Sequence, residues 1–431
     1  MKIRKLLAIA LAATMSGSLF VGCASNDKKE VKETPEVKTE QNVEFWTMQL
    51  SPTFDDYLKS AIVKFETENP TIKVKWVDVP WGDMEKKVMA AAASGSMPDV
   101  VNLNPQFAQK LAQLNALVDM GVSAADVKDD YFKGAWEASS FDGKTFGLPW
   151  YLTTGITYIN KELFTKAGLD PNKAPANYEE MYNAAKTIKE KTGKYGFMIS
   201  FNESVGMEAF EQMGVKLFND DYTKATFNTP EAIESINFFK KMMDEELIPK
   251  TSLTEGQGTI IQMYSGGEVA MFQGGTSHAS MIEKNNKEIY DNTAVGQQLA
   301  NANGKYNEAV MNICVAQSSK NKDAAVKFSK FITDAPNQVE FAKVSGAIIP
   351  STRDSIKDDF FNLEKGNASE QARTISAGQI EKAKNIFPPI KNYSEIQDAF
   401  LTAVQKSIAG EGKPEEALKE AEALANAALA K

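Results

Sequence analysis

Arginine, histidine and cysteine are the scarce residues of this 431-residue chain. Three arginines stand against 45 lysines, and only Arg353 and Arg373 lie beyond the first 22 residues. Bidentate guanidinium clamps, the usual device for carboxylate and phosphate ligands, are therefore in short supply. The single histidine, His278, has no suggestive neighbours, which argues against a His-based triad or a multi-His metal site. Of two cysteines, Cys314 sits in the apolar stretch VMNICVAQ and reads as a small core residue. Cys23 is engaged otherwise, so no internal disulfide is expected. The chain has no Gly-x-x-x-x-Gly-Lys phosphate loop, so it hydrolyses no nucleotide by that device. No cofactor or metal motif appears, and after Met15 no apolar run approaches the length of a membrane-spanning helix.

The setting of Cys23 comes from its two flanks. Upstream, Lys2, Arg4 and Lys5 precede an apolar run from Leu6 to Met15, which is the pattern of a secretory signal peptide. Phe20-Val21-Gly22-Cys23 resembles a bacterial lipobox, in which the cysteine is diacylated and becomes the mature N-terminus; Phe20 stands where leucine is usual. Two acyl chains anchor a protein stably. Downstream, residues up to Gln41 are rich in Lys, Glu, Thr and Asp and have too little apolar surface to offset their ordering entropy. The expectation is a signal peptide at 1–22 and a disordered tether at 23–42. Removing the leader takes away three positive charges and moves the formal charge from −9 to −12. A chain that acidic offers little to nucleic acid or to an anionic membrane surface.

The remaining body is long enough for two domains, with 43% hydrophobic and 10% aromatic residues in the whole chain. It opens with a strand, Val43 to Gln49. An amphipathic helix follows on Phe54, Tyr57, Leu58, Ala61, Ile62 and Phe65, ending at Asn69-Pro70. Then come strand Ile72–Val79, a helix closed by Gly95, and strand Val100–Leu103. This order predicts βαβ units and a largely parallel sheet. KTFGLPWYL reads as a strand crossing out of the first sheet. Helices are predicted over Tyr178–Lys191, Pro230–Glu246 and Lys322–Thr333, and through the tail from Ser394 with a break at Gly410-Glu411-Gly412. No internal repeat and no linker beyond the tether is present.

Several segments, in order, carry a resemblance. KFETENPTIKVKW, AAAASGSMPDVVNLN, GLPWYLTTGITYINKELFTKAGLD, GGEVAMFQGGTSH, KDAAVKFSKFITD and GAIIPSTRDS are similar to successive segments of the extracellular solute-binding proteins of bacterial sugar ABC transporters, the maltodextrin-binding-like group. The resemblance covers Val43 to Leu429 and implies an α/β, two-lobed periplasmic-binding-protein-like fold with hinge crossovers and a ligand cleft. Mapped here, lobe one holds 43–149 and 297–345, and lobe two holds 150–296 and 346–431. It implies a monomeric, non-enzymatic carbohydrate-binding subunit that serves membrane permease subunits with a separate ATPase. With the lipobox it places the protein on the outer face of the cell membrane, in a Gram-positive-type cell.

Sugar sites combine amide and carboxylate hydrogen bonds with flat aromatic rings. Candidate ligand residues are those the pattern brings to the cleft, beginning with Gln49, Asn104 and Gln106 at strand ends. Trp81 starts the second helix, Trp150 and Tyr151 sit at the hinge, and Asn202 and Glu203 lie in a polar loop. Gly275 and Thr276 end the AMFQGG strand, Glu308 follows the return crossover, and Tyr393 and Gln397 begin the late helix. The resemblance puts a stacking aromatic near Gln397, a role that Tyr393 can fill instead. Trp46, Trp76 and Trp136 read as core. Two other readings stay open: a different solute such as glycerol phosphate, a polyamine or an opine-like compound, and a lipid-anchored glycoside hydrolase using two acidic residues.

Overall fold

The computed structural model describes residues 40–300, 306–387 and 390–431; the signal peptide, Cys23 and most of the tether lie outside them. The body opens as its sequence predicts. Strand β1 (Gln41–Met48) leads to helix α1 (Asp55–Glu68), β2 (Ile72–Val79), α2 (Trp81–Ser94) and β3 (Val100–Leu103), followed by α3 (Pro105–Gln113). Gly95 ends α2 at φ 68°, a left-handed position that glycine occupies without Cβ strain. β1 begins earlier than expected. Gln41 and Asn42 belong to its ladder, opposite Ile72 and Lys73, and Asn321 Nδ2 donates to Asn42 O at 2.8 Å, so the last two residues of the expected tether at 23–42 are strand instead.

After the short helix α4 (Lys133–Ala138) the chain forms β4 (Leu148–Thr154), turns at Gly155, and continues as β5 (Ile156–Asn160). Helices α5 (Tyr178–Thr192), α6 (Ser204–Met213), α7 (Pro230–Asp244) and α8 (Gln257–Ser265) precede β6 (Met271–Gly274) and β7 (Thr293–Gln297). The chain returns through β8 (Tyr306–Val315), α9 (Lys322–Ile332), α10 (Ala335–Ser345), β9 (Ile349–Pro350), α11 (Ala368–Gln379) and β10 (Ala383–Lys384). It ends in a helical hairpin of α12 (Tyr393–Ala409) and α13 (Pro414–Ala430).

Among the described residues the large sheet runs β9-β4-β8-β3-β1-β2, with β10 added on β8, and a three-stranded sheet runs β6-β5-β7. Only part of the large sheet is parallel. β1 pairs in parallel with β2 and β3, whereas β8 runs antiparallel to β3 and β4, and β9 antiparallel to β4. The expectation of a largely parallel sheet holds for the βαβ run and for the short pairing of β8 with β10; β4, β8 and β9 join it antiparallel, β8 entering after the chain has passed through the small sheet. The pairing also moves the turn between sheets to Gly155. Pro149 and Trp150 lie inside β4, and Ile349–Pro350 pairs with β4, so the expected divisions at 149/150 and 345/346 cut through the large sheet.

Each sheet has its own core. Around the large sheet, Phe45 packs edge-on to Phe328 at 5.1 Å between ring centres, and Trp150 stacks on Phe341 at 4.9 Å. A second core joins α5, α6, α7, α12 and α13 through residues such as Phe201, Phe210, Phe239 and Phe400. Cys314 is buried and free, as its apolar neighbours predict.

Candidate functional site

Strand ends and helix starts build the candidate site. At the carboxyl end of β3, Asn104 caps α3 by accepting from Phe107 N at 2.8 Å, with Pro105 in the first turn. Trp81 opens α2 with 48% of its surface exposed, and its backbone N–H donates to Gln49 Oε1 at 3.1 Å. In β4 the side chains alternate. Leu148, Trp150 and Leu152 are buried on one face, while Tyr151 and Thr153 point to the other, level with Met311 and Ala309 of β8. Ser204 and Glu208 of α6, Asn385, Phe387, and Tyr393 at the start of α12 close the opposite side of a cavity of about 310 Å³.

A second cavity of about 200 Å³ shares Thr153, Ser204, Glu208, Asn307 and Ala309 with the first. It continues to Glu203 and to four glutamines, Gln212, Gln257, Gln273 and Gln298. The two form one cleft with contrasting ends. One end presents the rings of Trp81, Tyr151, Phe387 and Tyr393; the other presents amides. Most of the amides are held in place. Tyr178 Oη donates to Gln212 Oε1 at 2.7 Å, Gln273 Oε1 accepts from Leu299 N at 2.9 Å, and Gln298 Oε1 accepts from Asn307 N at 2.8 Å. Gln257 Oε1 is buried without a hydrogen-bond partner among the described residues.

No lysine or arginine is among the described residues that line the cleft. Its acids feel that. Burial raises the Glu208 carboxyl above its ordinary range, with the Asn307 and Ser204 side chains opposing the shift. Burial and the nearby Glu208 charge raise the Tyr393 hydroxyl. Burial likewise lowers His278, whose Nδ1 lies 2.9 Å from Gly275 O. Among the described residues no group of His, Cys, Asp and Glu is placed to hold a metal ion.

Of the residues predicted for the site, Trp81, Asn104, Gln106, Tyr151, Glu308 and Tyr393 contribute to the first cavity, and Glu203 and Gly275 to the second. Five do not line it. Trp150 is fully buried on the reverse face of β4, where strand alternation puts it against Phe341, so its ring is core and Tyr151 takes the cleft face. Gln49 acts through Trp81, as above. Asn202 is exposed and spends its amide on Thr254 O at 3.1 Å. Thr276 is buried, with its Oγ1 3.2 Å from Thr153 Oγ1 and bonded to Ala347 O, so it braces the wall. Gln397 lies one helical turn beyond Tyr393, outside the lining. Glu308, by contrast, lies opposite Thr154, on the face of β8 turned away from Ala309, and its carboxyl does not point into the cleft. Residues that the sequence reading missed include Thr153, Glu208, Asn307, Phe387 and the four glutamines; the acid inside the apolar run SVGMEAFEQM was the available signal for Glu208.

Known proteins share this architecture. Residues 51–339 match the family model for the bacterial extracellular solute-binding protein. The diacetylchitobiose-binding protein DasA of Streptomyces coelicolor is 26% identical over 441 residues, covering 99% of each chain. A Synechococcus sp. MITs9220 crystal structure, described as a candidate oligosaccharide periplasmic-binding protein, superposes with a TM-score of 0.80 at 29% identity, over 90% of this chain and 99% of that one. The sugar-binding protein MalE of Xanthomonas citri has a TM-score of 0.77 at 23% identity, over 90% and 98%, and speaks for the fold alone. The two sheet layers are thus the lobes of a periplasmic-binding-protein fold, and the chain belongs to the bacterial extracellular solute-binding proteins.

Proposed function

We propose that the protein captures a sugar or oligosaccharide in this cleft, closes around it by hinge motion, and delivers it to the permease of an ABC importer whose ATPase is a separate subunit. The observation that carries the reading is the two-ended cleft. Aromatic rings suit the apolar C–H faces of a sugar, and amides with an acid suit its hydroxyls. The absence of cations among the described lining residues argues against glycerol phosphate and other anions. A polyamine is the second reading, favoured by Glu203 and Glu208. The relatives are named as binding proteins, so an oligosaccharide incubated with the protein should return uncleaved; release of shorter products would support a hydrolase instead.

A thermal-shift screen over mono- and oligosaccharides, with polyamines and glycerol phosphate as comparators, tests the ligand class, since a ligand of the native state raises Tm. Shifts only with polyamines would overturn the sugar reading. Small-angle scattering with the best sugar should give a smaller radius of gyration. We further propose that Cys23 carries the lipid anchor and that the mature monomer sits on the outer face of the membrane. Cys23→Ser should then appear in the soluble fraction; a membrane-bound variant would refute the anchor.

A further inference from the structure

Three chain segments that connect the large sheet with the rest of the molecule meet at one carboxyl group. Glu308 lies on β8, directly opposite Thr154 of β4. β4 turns into the small sheet at Gly155, and β8 is the strand that follows β7 of the small sheet. On its other side β8 pairs with β10, which leads on toward α12. Glu308 is 1% exposed, and neither carboxyl oxygen has a hydrogen-bond partner among the described residues. The backbone of α4 fills the space beside it. A Cβ on Gly134 would lie 2.8 Å from Glu308 Oε1 and 2.6 Å from Ala383 O, so carboxyl and carbonyl converge on the same glycine. A carboxylate can only accept, and Ala383 O offers no hydrogen; a carboxylic acid can donate to that carbonyl.

We propose that Glu308 is a proton-dependent latch on the hinge: its neutral acid holds β4, β8 and β10 in this arrangement, and loss of its proton to solvent accompanies their opening. Among the described residues the surroundings supply no cation to take the proton's place. α4 presents Glu137, itself paired with exposed Lys133 at 3.6 Å. Lys384 on β10, with Glu381 and Lys382 just before it, is exposed. β4 and α11 present Thr154, Ser376 and Gln379, which bond one another. Tyr306, on β8 itself, donates to Gln297 Oε1 at 3.0 Å, and Glu208 lies across the strand beside Asn307. Burial first, then the Glu137 charge, pushes the carboxyl from 4.5 up to about 8. An opened hinge that wets Glu308 returns it toward the lower value. Opening therefore releases a proton between these limits, and the opening equilibrium rises about tenfold per pH unit from pH 5 to pH 8 and levels off above.

The proposal rests on the two-lobed arrangement and not on which solute is bound, so it is tested without ligand. Hydrogen exchange of the intact protein is measured at pH 5.5, 6.5 and 7.5, corrected for intrinsic rates. Protection of β4, β8 and β10 should fall about tenfold per pH unit, while β1 and β2 hold theirs. In E308Q, which is neutral at every pH, the slope should vanish. A flat wild-type profile would overturn the latch even if the variant fails to fold. An equal slope in E308Q, or a loss shared by β1 and β2, would overturn it too, the latter showing general destabilisation. A failed sugar screen would leave the result standing.

Discussion

Adjacent residues of β4 should separate stability from binding. Trp150 is fully buried, stacked on Phe341 and 6.2 Å edge-on from Phe45, so Trp150→Ala leaves a cavity in a rigid aromatic core. The expected loss is about 3–5 kcal/mol of folding stability, seen as a lower denaturant midpoint. Affinity measured by calorimetry well below the transition should stay within a few-fold of wild type. Tyr151 lines the cleft, and its ring also packs edge-on to Trp150 at 5.3 Å and Phe341 at 5.4 Å and against the core that holds Met311. A sugar face on that ring contributes about 1.5–3 kcal/mol, so Tyr151→Ala should weaken binding roughly ten- to a hundredfold. If Trp150→Ala loses affinity at unchanged stability, or Tyr151→Ala binds normally, the assignment of faces in β4 is wrong.

Two further outcomes follow from the cleft. Glu208 lies where its two ends meet, with no described cation lining them, so the wild type should reject a uronate or phosphate derivative of any neutral sugar it binds; Glu208→Gln should narrow that discrimination at least tenfold, measured by competition calorimetry. Asn104→Ala removes the cap of α3 and should cost about 1 kcal/mol of stability. Asn104→Asp keeps the cap, so it should restore the denaturant midpoint, and an equal loss in both variants would deny the capping role.

The fold was legible where a strong local signal stands in the sequence. β2 appears as its alternating sequence predicts and β3 as its short apolar run predicts, while α5 and α7 end within two residues of expectation, because apolar residues mark one face of each helix and Asn177 or Thr229 marks the start. α10 and α11 were not legible, since apart from Phe341 on α10 their buried faces are polar or small. In α10, Gln338 is buried by bonding Thr333 O and Ser351 N, and α11 buries Ala372, Ser376 and Gln379. No apolar stripe records such packing; the partners sit in other segments.

The site was half legible for a related reason. Strand and helix ends are local features, so Trp81, Asn104, Gln106 and Tyr393 could be placed from their own neighbourhoods. Which face a side chain takes is decided by the partner strand. Trp150 and Glu308 both lie near the crossovers between the two sheets, and both face away from the cleft, because β4 and β8 pair with Leu152 opposite Val310 and Thr154 opposite Glu308. One residue of register exchanges Trp150 for Tyr151 and Glu308 for Ala309. That same parity gives the two faces different chemistry. The cleft face has rings and hydroxyls that a solute can reach, while the reverse face holds a buried acid that only a conformational change can wet. If the cleft takes the sugar and Glu308 the proton, as proposed, the two bind on opposite sides of the same pair of strands, and a motion of those strands would couple them.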